Sequence, residues 1–339
     1  MLKKPYLLFL GEARDAPHAK TAFGLRDWAG DDVVGQHRLE GCAVDLGVPD
    51  LSFAQAVERG ARSLVIGVAP VGGAVTASWI PHLTAAIDAG LDLVSGLHQR
   101  LADVPELARA AEARGVALHD VRRPARAFPV ATGRKRSGRR LLTVGVDCAV
   151  GKKYAALAIA AALRERGADA TFRATGQTGI MIAGDGVPLD AVVADFAAGA
   201  AEWLSPDNSA GHWDVIEGQG SLFHPAYAGV SLALLHGSQP DAFVLCLDPQ
   251  RRTLASFDDY PIVSAEVAIE RHRLEGALTN PAIRCAGLSI NTSGLDEAAA
   301  EAVKAELRQR FGLPVFDPIR DGAGELADHL LAADAGAAA

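Results

Sequence analysis

Lysine is rare in this chain, seven against twenty-six arginines, yet Lys152 and Lys153 stand side by side. They follow the turn Gly145-Val146-Asp147-Cys148-Ala149-Val150-Gly151. Before the turn, Leu141–Val146 is an apolar run of buried-strand type. After it, Lys152–Arg166 has helical spacing, with Gly167 as a stop. A glycine-rich turn between strand and helix aims backbone N–H groups and the positive helix end at an anion, and a lysine adds a point charge. The chemistry this predicts is phosphate cradling by Gly145, Asp147, Cys148, Ala149, Val150, Gly151, Lys152, Lys153 and Tyr154; the alternative is a purely structural turn. The usual pattern is G-x-x-x-x-G-K-[ST]. Here one extra residue separates the glycines, and Lys153-Tyr154 occupies the place of the hydroxyl that ligates Mg²⁺. Mg²⁺ is thus compatible with the loop but not required by it, and no resident metal site is expected.

A second cluster is Asp214-Val215-Ile216-Glu217-Gly218-Gln219-Gly220-Ser221-Leu222-Phe223-His224-Pro225. It reads as a strand ending in an acid and then a glycine turn. When such a strand lies beside a phosphate-loop strand, its terminal carboxylate faces the phosphates, so Glu217 is a catalytic candidate. Histidine is the residue type suited to proton transfer at neutral pH, so His224 is a candidate general base, set against a structural hydrogen-bonding role. His236 is a weaker candidate of the same kind. In Thr175-Gly176-Gln177-Thr178-Gly179 the glycines permit close approach to a ligand, so Gly176 and Gln177 are cofactor candidates. Asp195 sits on an otherwise apolar helical face, either paired with a base or simply exposed, and Asp190 precedes it. Asn291, after a late strand, is placed to read a purine edge.

In the first third of the chain, Lys20, Thr21 and Arg26 follow the first strand; a lysine and a forked guanidinium could hold a substrate carboxylate. Ala69-Pro70-Val71-Gly72-Gly73 and Ser95-Gly96-Leu97-His98 also follow strands. Ligands of open α/β sheets sit off such strand ends, so Gly72, Gly73, Ser95 and His98 are candidate walls of a site. No G-x-G-x-x-G follows the first strand, so a nicotinamide dinucleotide is not supported.

The elements that must position these residues alternate. Strands are predicted at Tyr6–Leu10, Ser63–Val68, Asp92–Val94 and Val116–Asp120, and helices at Phe53–Gly60, Trp79–Ala89 and Val104–Arg114. Past the phosphate loop, strands follow at Ala170–Ala174, Asp214–Glu217, Ala242–Leu247, Ala286–Asn291 and Val315–Asp317. Helices are predicted there at Asp190–Leu204, Pro261–Glu275 and Asp296–Arg310. Such alternation predicts an α/β protein with mainly parallel sheets. The basic run Gly133-Arg134-Lys135-Arg136-Ser137-Gly138-Arg139-Arg140 predicts a solvated linker, with an anion-attracting rim as the other reading. It divides residues 1–132 from residues 141–339.

The 339 residues allow two domains. Hydrophobic residues at 49 % and charged residues at 22 % match an ordinary globular protein, and a net charge of −8 argues against a dedicated nucleic-acid binder. The longest apolar runs are too short for a membrane span, and Glu12 interrupts the first of them, so no signal peptide or membrane partner is expected. Cys42, Cys148, Cys246 and Cys285 are far apart and read as reduced thiols in a cytoplasmic protein. A homodimer is the default expectation from general frequency.

Together these motifs are similar to those of the D-glutamate N-acetyltransferase family. The similarity runs through Thr143 to Lys152, Ala174 to Gly179, Glu217 to Tyr227 and Leu234 to Ser238. It continues in Ala19 to Ala22, Ser95 to His98 and Asp120 to Pro124, and so spans nearly the whole chain. Val146 departs from the family's usual Thr and removes one hydroxyl from the loop. The longer glycine spacing, with Glu-Gly-x-Gly and Pro225, also resembles dethiobiotin synthetase. The resemblance implies a Rossmann-like N-terminal substrate domain and a P-loop C-terminal domain. It further implies acetyl transfer from acetyl-CoA to the amine of D-glutamate or a similar D-amino acid, in D-amino-acid catabolism.

Coenzyme A carries a pyrophosphate and a 3′-phosphate, so a phosphate loop can hold it without phosphoryl transfer. Acetylation of an amine needs a base, donors for an oxyanion and cations for the substrate carboxylates. His224 or Glu217 would be the base, and the N–H groups of Gly218–Ser221 the donors, with Gln219 and Ser221 touching substrate. Lys20, Arg26 or Arg123 would hold the carboxylates. Two other functions remain open. One is an ATP-dependent ligase or kinase using Asp147, Lys152 and Glu217 with Mg²⁺; the other is a non-catalytic nucleotide-binding regulator.

Overall fold

The computed structural model describes residues 2–68, 70 and 72–337. Ala69 and Val71 of the expected loop after the second predicted strand lie outside the described residues. The chain divides into two compact units: Met1–Pro124 with Gly176–Pro188, and Ala125–Thr175 with Leu189–Ala339.

In the first unit the chain runs β1 (Tyr6–Gly11), α1 (Lys20–Trp28), β2 (Val33–Arg38), α2 (Phe53–Glu58), β3 (Ser63–Ile66), α3 (Ile80–Asp88), β4 (Asp92–Ser95), α4 (Pro105–Arg114) and β5 (Leu118–Asp120). All five strands are parallel, in the order β2-β1-β3-β4-β5. Strand β1 is apolar from Tyr6 to Leu10 and buried throughout, as a strand covered on both faces must be. Ser52 and Gln55 form a reciprocal capping box that starts α2. Helix α4 opens on Pro105 and stops where Gly115 turns left-handed, φ 65°. Helix α1 and strand β2 are additions to the predicted elements.

The second unit begins with β6 (Arg139–Gly145), α5 (Lys152–Glu165) and β7 (Ala170–Arg173). Helix α6 (Gln177–Ala183) comes next but packs with the first unit: Tyr6 Oη donates to Met181 O at 3.0 Å and Lys4 Nζ to Ile182 O at 2.8 Å. Then follow α7 (Ala194–Leu204), β8 (Trp213–Ile216), α8 (Ala228–Ser238), β9 (Ala242–Leu247), β10 (Thr253–Leu254), β11 (Phe257–Pro261), α9 (Ala265–Ala277), β12 (Arg284–Ile290), α10 (Glu297–Phe311), β13 (Val315–Phe316) and α11 (Gly324–Ala337). The main sheet is parallel, in the order β13-β12-β9-β6-β8-β7, and β10 and β11 form a separate antiparallel hairpin. Helices α7 and α8 meet closely because Gly237 has no side chain: a Cβ there would lie 2.1 Å from Ala198 O.

The basic run is solvated only in part: Gly133, Arg134, Lys135 and Ser137 are exposed, but Arg136 and Arg140 are buried, and Arg139 and Arg140 already belong to β6. Arg136 is 5 % exposed and donates to Ser205 O at 2.7 Å and Gly237 O at 2.8 Å. Arg140 is fully buried and donates to Ser137 O and Pro206 O, both at 2.9 Å. Five fixed donors let each guanidinium gather several loop carbonyls that would otherwise be buried without partners. Burial brings the Arg136 pKa down to about 10. The run therefore belongs to the body of the second unit, whose first residue is Ala125 rather than one after 132.

Candidate functional site

Strand β6 is central in its sheet, with β9 on one side and β8 on the other, and delivers its C-terminal end to the phosphate-type loop. Gly145 is needed there, because a Cβ would lie 2.8 Å from Val150 Cγ2 and 3.2 Å from Lys152 Nζ. The loop curls through left-handed conformations at Ala149 (φ 53°) and Gly151 (φ 97°) before α5 starts at Lys152. A non-glycine residue in that region is uncommon and points to a constrained loop. Lys152 is buried, its Nζ donates to Asp147 O at 2.7 Å, and burial lowers its pKa. The ammonium is thereby stored inside the loop, poised for a stronger acceptor such as a phosphate oxygen. Lys153 Nζ lies 4.9 Å from the Tyr154 ring centroid on the first turn of α5.

Arg251, which the sequence reading missed, holds this loop from the far side. Its Nη1 donates to Asp147 Oδ2 at 2.8 Å and to Cys148 O at 2.6 Å, and its Nη2 to Ala149 O at 3.4 Å. Asp147 is fully buried; its Oδ2 also accepts from Ala255 N at 2.7 Å, while Oδ1 has no hydrogen-bond partner among the described residues. Asp147 therefore anchors the loop to the segment after β9. The only sequence signal was the doubled arginine, Arg251-Arg252, just past a strand end.

Glu217 stands where expected, directly after β8, the neighbour of β6. It is 3 % exposed, its Oε2 accepts from Thr175 N at 3.0 Å, and Thr175 Oγ1 donates to Glu217 O at 2.6 Å. Gln219 Nε2 reaches the same Thr175 hydroxyl at 3.1 Å. Gly218 has no room for a side chain: a Cβ would lie 1.7 Å from Thr143 O and 3.0 Å from Lys152 Cδ. Its N–H is taken by Thr143 Oγ1 at 2.9 Å, which leaves Gln219, Gly220 and Ser221 as the oxyanion-type donors of that loop. Ser221 is buried, and its Oγ accepts from Phe223 N at 3.3 Å.

His224 is 1 % exposed, stacked on Tyr227 with centroids 4.6 Å apart and edge-on to Phe257 at 4.9 Å. Ala226 N donates to its Nδ1 at 3.2 Å, which leaves Nε2 as the protonated nitrogen facing Ala255 O at 3.3 Å. Both ring nitrogens thus have backbone partners, an arrangement that fits positioning better than proton abstraction. Ligand atoms of Asp147, Cys148 and His224 lie within 4.8 Å of one another, a donor set suited to a borderline metal ion. The Arg251 guanidinium already balances the Asp147 charge there. Burial raises the Cys148 thiol above its usual range, and so does the neighbouring Asp147, against the lowering pull of Lys152. His272, on α9, also faces this region: burial and the Lys152 charge hold its imidazole neutral, down to about 4.

The remaining candidates separate. His236 Nε2 pairs with Glu275 O at 3.1 Å, a structural contact of α8. Asp195 is exposed in the first turn of α7, and Asn291 Oδ1 accepts from Ser293 N at 3.2 Å. In the first unit, Gly73 O accepts from both His98 N at 2.9 Å and Gln99 N at 3.0 Å, so the loops after β3 and β4 are tied together. Ser95 is buried and its Oγ accepts from Leu97 N at 3.1 Å. Gly176 and Gln177 open α6 and belong to this unit: Gly96 faces Gln177, where a Cβ would lie 3.1 Å from Cγ. Thr21 Oγ1 meets Thr178 Oγ1 at 3.3 Å. Gly72 has open space around it. Lys20 and Arg123 are exposed, whereas Arg26 already donates to Asp27 Oδ1 at 2.7 Å and Leu46 O at 3.3 Å. Arg122, beside Arg123, donates to Gly96 O at 2.7 Å.

Among the described residues no helix is long and apolar enough to cross a membrane. Residues 129–327 match the family described as "Domain of unknown function (DUF1611_C) P-loop domain", and residues 37–124 match "Domain of unknown function (DUF1611_N) Rossmann-like domain". A D-glutamate N-acetyltransferase from Tritonibacter scottomollicae is 51 % identical, covering 98 % of this chain and 100 % of its own. A second protein of that name, from a Pseudoalteromonas species, is 45 % identical over 97 % of this chain and 99 % of its own. A crystal structure of a DUF1611 family protein from Anabaena variabilis superposes with a TM-score of 0.85 at 34 % identity, covering 97 % of this chain and 100 % of that one. The chain therefore belongs to the DUF1611 family of Rossmann-like and P-loop proteins, the family of D-glutamate N-acetyltransferases.

Proposed function

We propose that this protein is an N-acetyltransferase that moves acetyl from acetyl-CoA to the amine of D-glutamate, as an early step in D-amino-acid catabolism. The observation that carries the reading is the end-to-end match, at 51 % identity, to a protein named D-glutamate N-acetyltransferase. The loop geometry supports the choice of donor. Lys152 and the turn around it suit a diphosphate, and Lys153 stands where a phosphoryl-transfer enzyme places its Mg²⁺ hydroxyl. Fixed anion binding without metal-assisted chemistry fits a cofactor whose phosphates are only a handle.

Acetyl-CoA supplies an activated acyl thioester. Lys152 would release Asp147 O and turn its ammonium to the diphosphate, exchanging a neutral carbonyl acceptor for a charged one. Glu217 is the better-placed base, because its carboxylate directly follows β8 beside the phosphate-loop strand. Glu217 would take one proton from the substrate ammonium so that the amine nitrogen can bond to the thioester carbon, and the N–H groups of Gln219, Gly220 and Ser221 would stabilise negative charge on the acyl oxygen; the C–S bond then breaks, and the coenzyme A thiolate leaves with the second proton lost from the amine. His224 keeps the Ser221–Ala226 turn in shape, since its own N–H also donates to Ser221 O at 3.2 Å.

The test is incubation with acetyl-CoA and a panel of D- and L-amino acids, followed by thiol release. Thiol release dependent on D-glutamate is expected; release of ADP from ATP with an amino-acid substrate, and no thiol from acetyl-CoA, would reject the assignment. Lys152→Ala should abolish calorimetric binding of acetyl-CoA, and an unchanged affinity would remove the loop from the site.

A further inference from the structure

A cavity of about 260 Å³ opens beside the phosphate-type loop, lined by Val146, Leu247, Asp248, Pro249, Arg252 and Ile262 among others. Val146 belongs to the loop itself, so the cavity continues from the place where a diphosphate would rest. Its two walls are pinned: Ile262 N donates to Arg252 O at 2.9 Å across the base of the β10–β11 hairpin. Arg252 is exposed at the rim, where its Nη1 donates to Pro249 O at 3.2 Å, its one side-chain hydrogen bond among the described residues. Pockets that swallow a whole small ligand run from about 300 to 1,000 Å³, so this volume suits one end of a longer molecule. The apolar side chains of Val146, Leu247, Pro249 and Ile262 suit an aromatic base, and Asp248 offers an acceptor for an amino or hydroxyl group.

We infer that this cavity receives the adenosine end of coenzyme A and that Arg252 pairs with its 3′-phosphate, separating coenzyme A from nucleotides that lack one. The inference rests on the acetyl-CoA reading above and assigns to it a residue that sets specificity. Arg252 is suited to the role because its guanidinium presents a fork to a phosphate and has little else to hold. Asn291, the sequence-level candidate for the purine edge, is not among the residues that line the cavity.

Titration calorimetry with coenzyme A and 3′-dephospho-coenzyme A, on the full chain and on Arg252→Ala, tests the inference. One charge-assisted pair at a solvent-exposed rim corresponds to about a tenfold preference for coenzyme A. Arg252→Ala should lose that factor toward coenzyme A and keep its affinity for the dephospho form. Equal affinity of the unaltered protein for both ligands, or an equal drop for both in Arg252→Ala, overturns the role of Arg252 while acetyl-CoA binding stands. Binding of neither ligand overturns the acetyl-CoA reading together with this one.

Discussion

Replacing Arg251 with Ala removes three hydrogen bonds at once, those to Asp147 Oδ2, Cys148 O and Ala149 O. It also strips a fully buried carboxylate of its counter-charge and leaves Asp147 with the single bond from Ala255 N. Breaking a buried ion pair from one side costs about 3–5 kcal/mol. Arg251 is 23 % exposed, so water replaces part of what it supplied, and about 2–3 kcal/mol is the expected loss. Asp147→Asn removes the charge that Arg251 balances, so the double variant should be less damaged than the sum of the two single ones, by about 1–2 kcal/mol. Urea unfolding of the four proteins closes the cycle. A loss below about 0.5 kcal/mol for Arg251→Ala, or strict additivity with Asp147→Asn, would refute the view that this pair holds the loop. On the proposed function, acetyl-CoA affinity should fall in step with loop stability, since the same contacts fix the carbonyls of Cys148 and Ala149.

Gly218→Ala should cost at least about 3 kcal/mol, because its Cβ would press on the backbone oxygen of Thr143, 1.7 Å away, and β6 cannot shift without breaking its pairing with β8. Gly211→Ala, where nothing lies within 4 Å, is the control and should melt within a degree or two of the unaltered protein. His272 has its folded pKa depressed to about 4 from an ordinary 6.5. Protonation therefore favours the unfolded chain, and this contribution is full above pH 6.5 and declines as pH falls toward 4. The slope is about 1.4 kcal/mol per pH unit inside that window. His272→Leu should flatten the melting temperature between pH 6.5 and 5 relative to the unaltered protein; parallel pH profiles would contradict the assignment.

The alternation of strands and helices, the two parallel sheets and the carboxylate beside the phosphate loop were legible because each rests on local pattern. Buried strands are continuous apolar runs, and Gly115, Gly167 and Pro105 punctuate the helices. The missed elements lack such a pattern. Helix α8 is apolar or small on most sides and carries Gly229 and Gly237, so it shows no amphipathic face, and Gly237 is explained only by the approach of α7. Helix α1 is interrupted by Gly24 and follows a short 3₁₀ turn. Arg136 and Arg140 of the basic run 133–140 looked solvated because the carbonyls that hold them include ones 65 to 102 residues away, such as Ser205 and Ser238. Arg251 was hidden for the same reason: its partners lie more than a hundred residues earlier. Long-range pairing of this kind is written in the fold and not in the spacing.

The return of α6 to the first unit means that its gene segment is discontinuous. A truncation after Pro124 would deprive Tyr6 and Lys4 of their acceptors on Met181 and Ile182. It would also expose the surface that α6 covers on α1. During synthesis the first unit must therefore wait, unfinished, until residue 188 has left the ribosome, by which time β6 and the phosphate loop are already out. The nascent chain cannot complete its N-terminal half before committing its middle, so maturation of the two halves is interleaved rather than sequential.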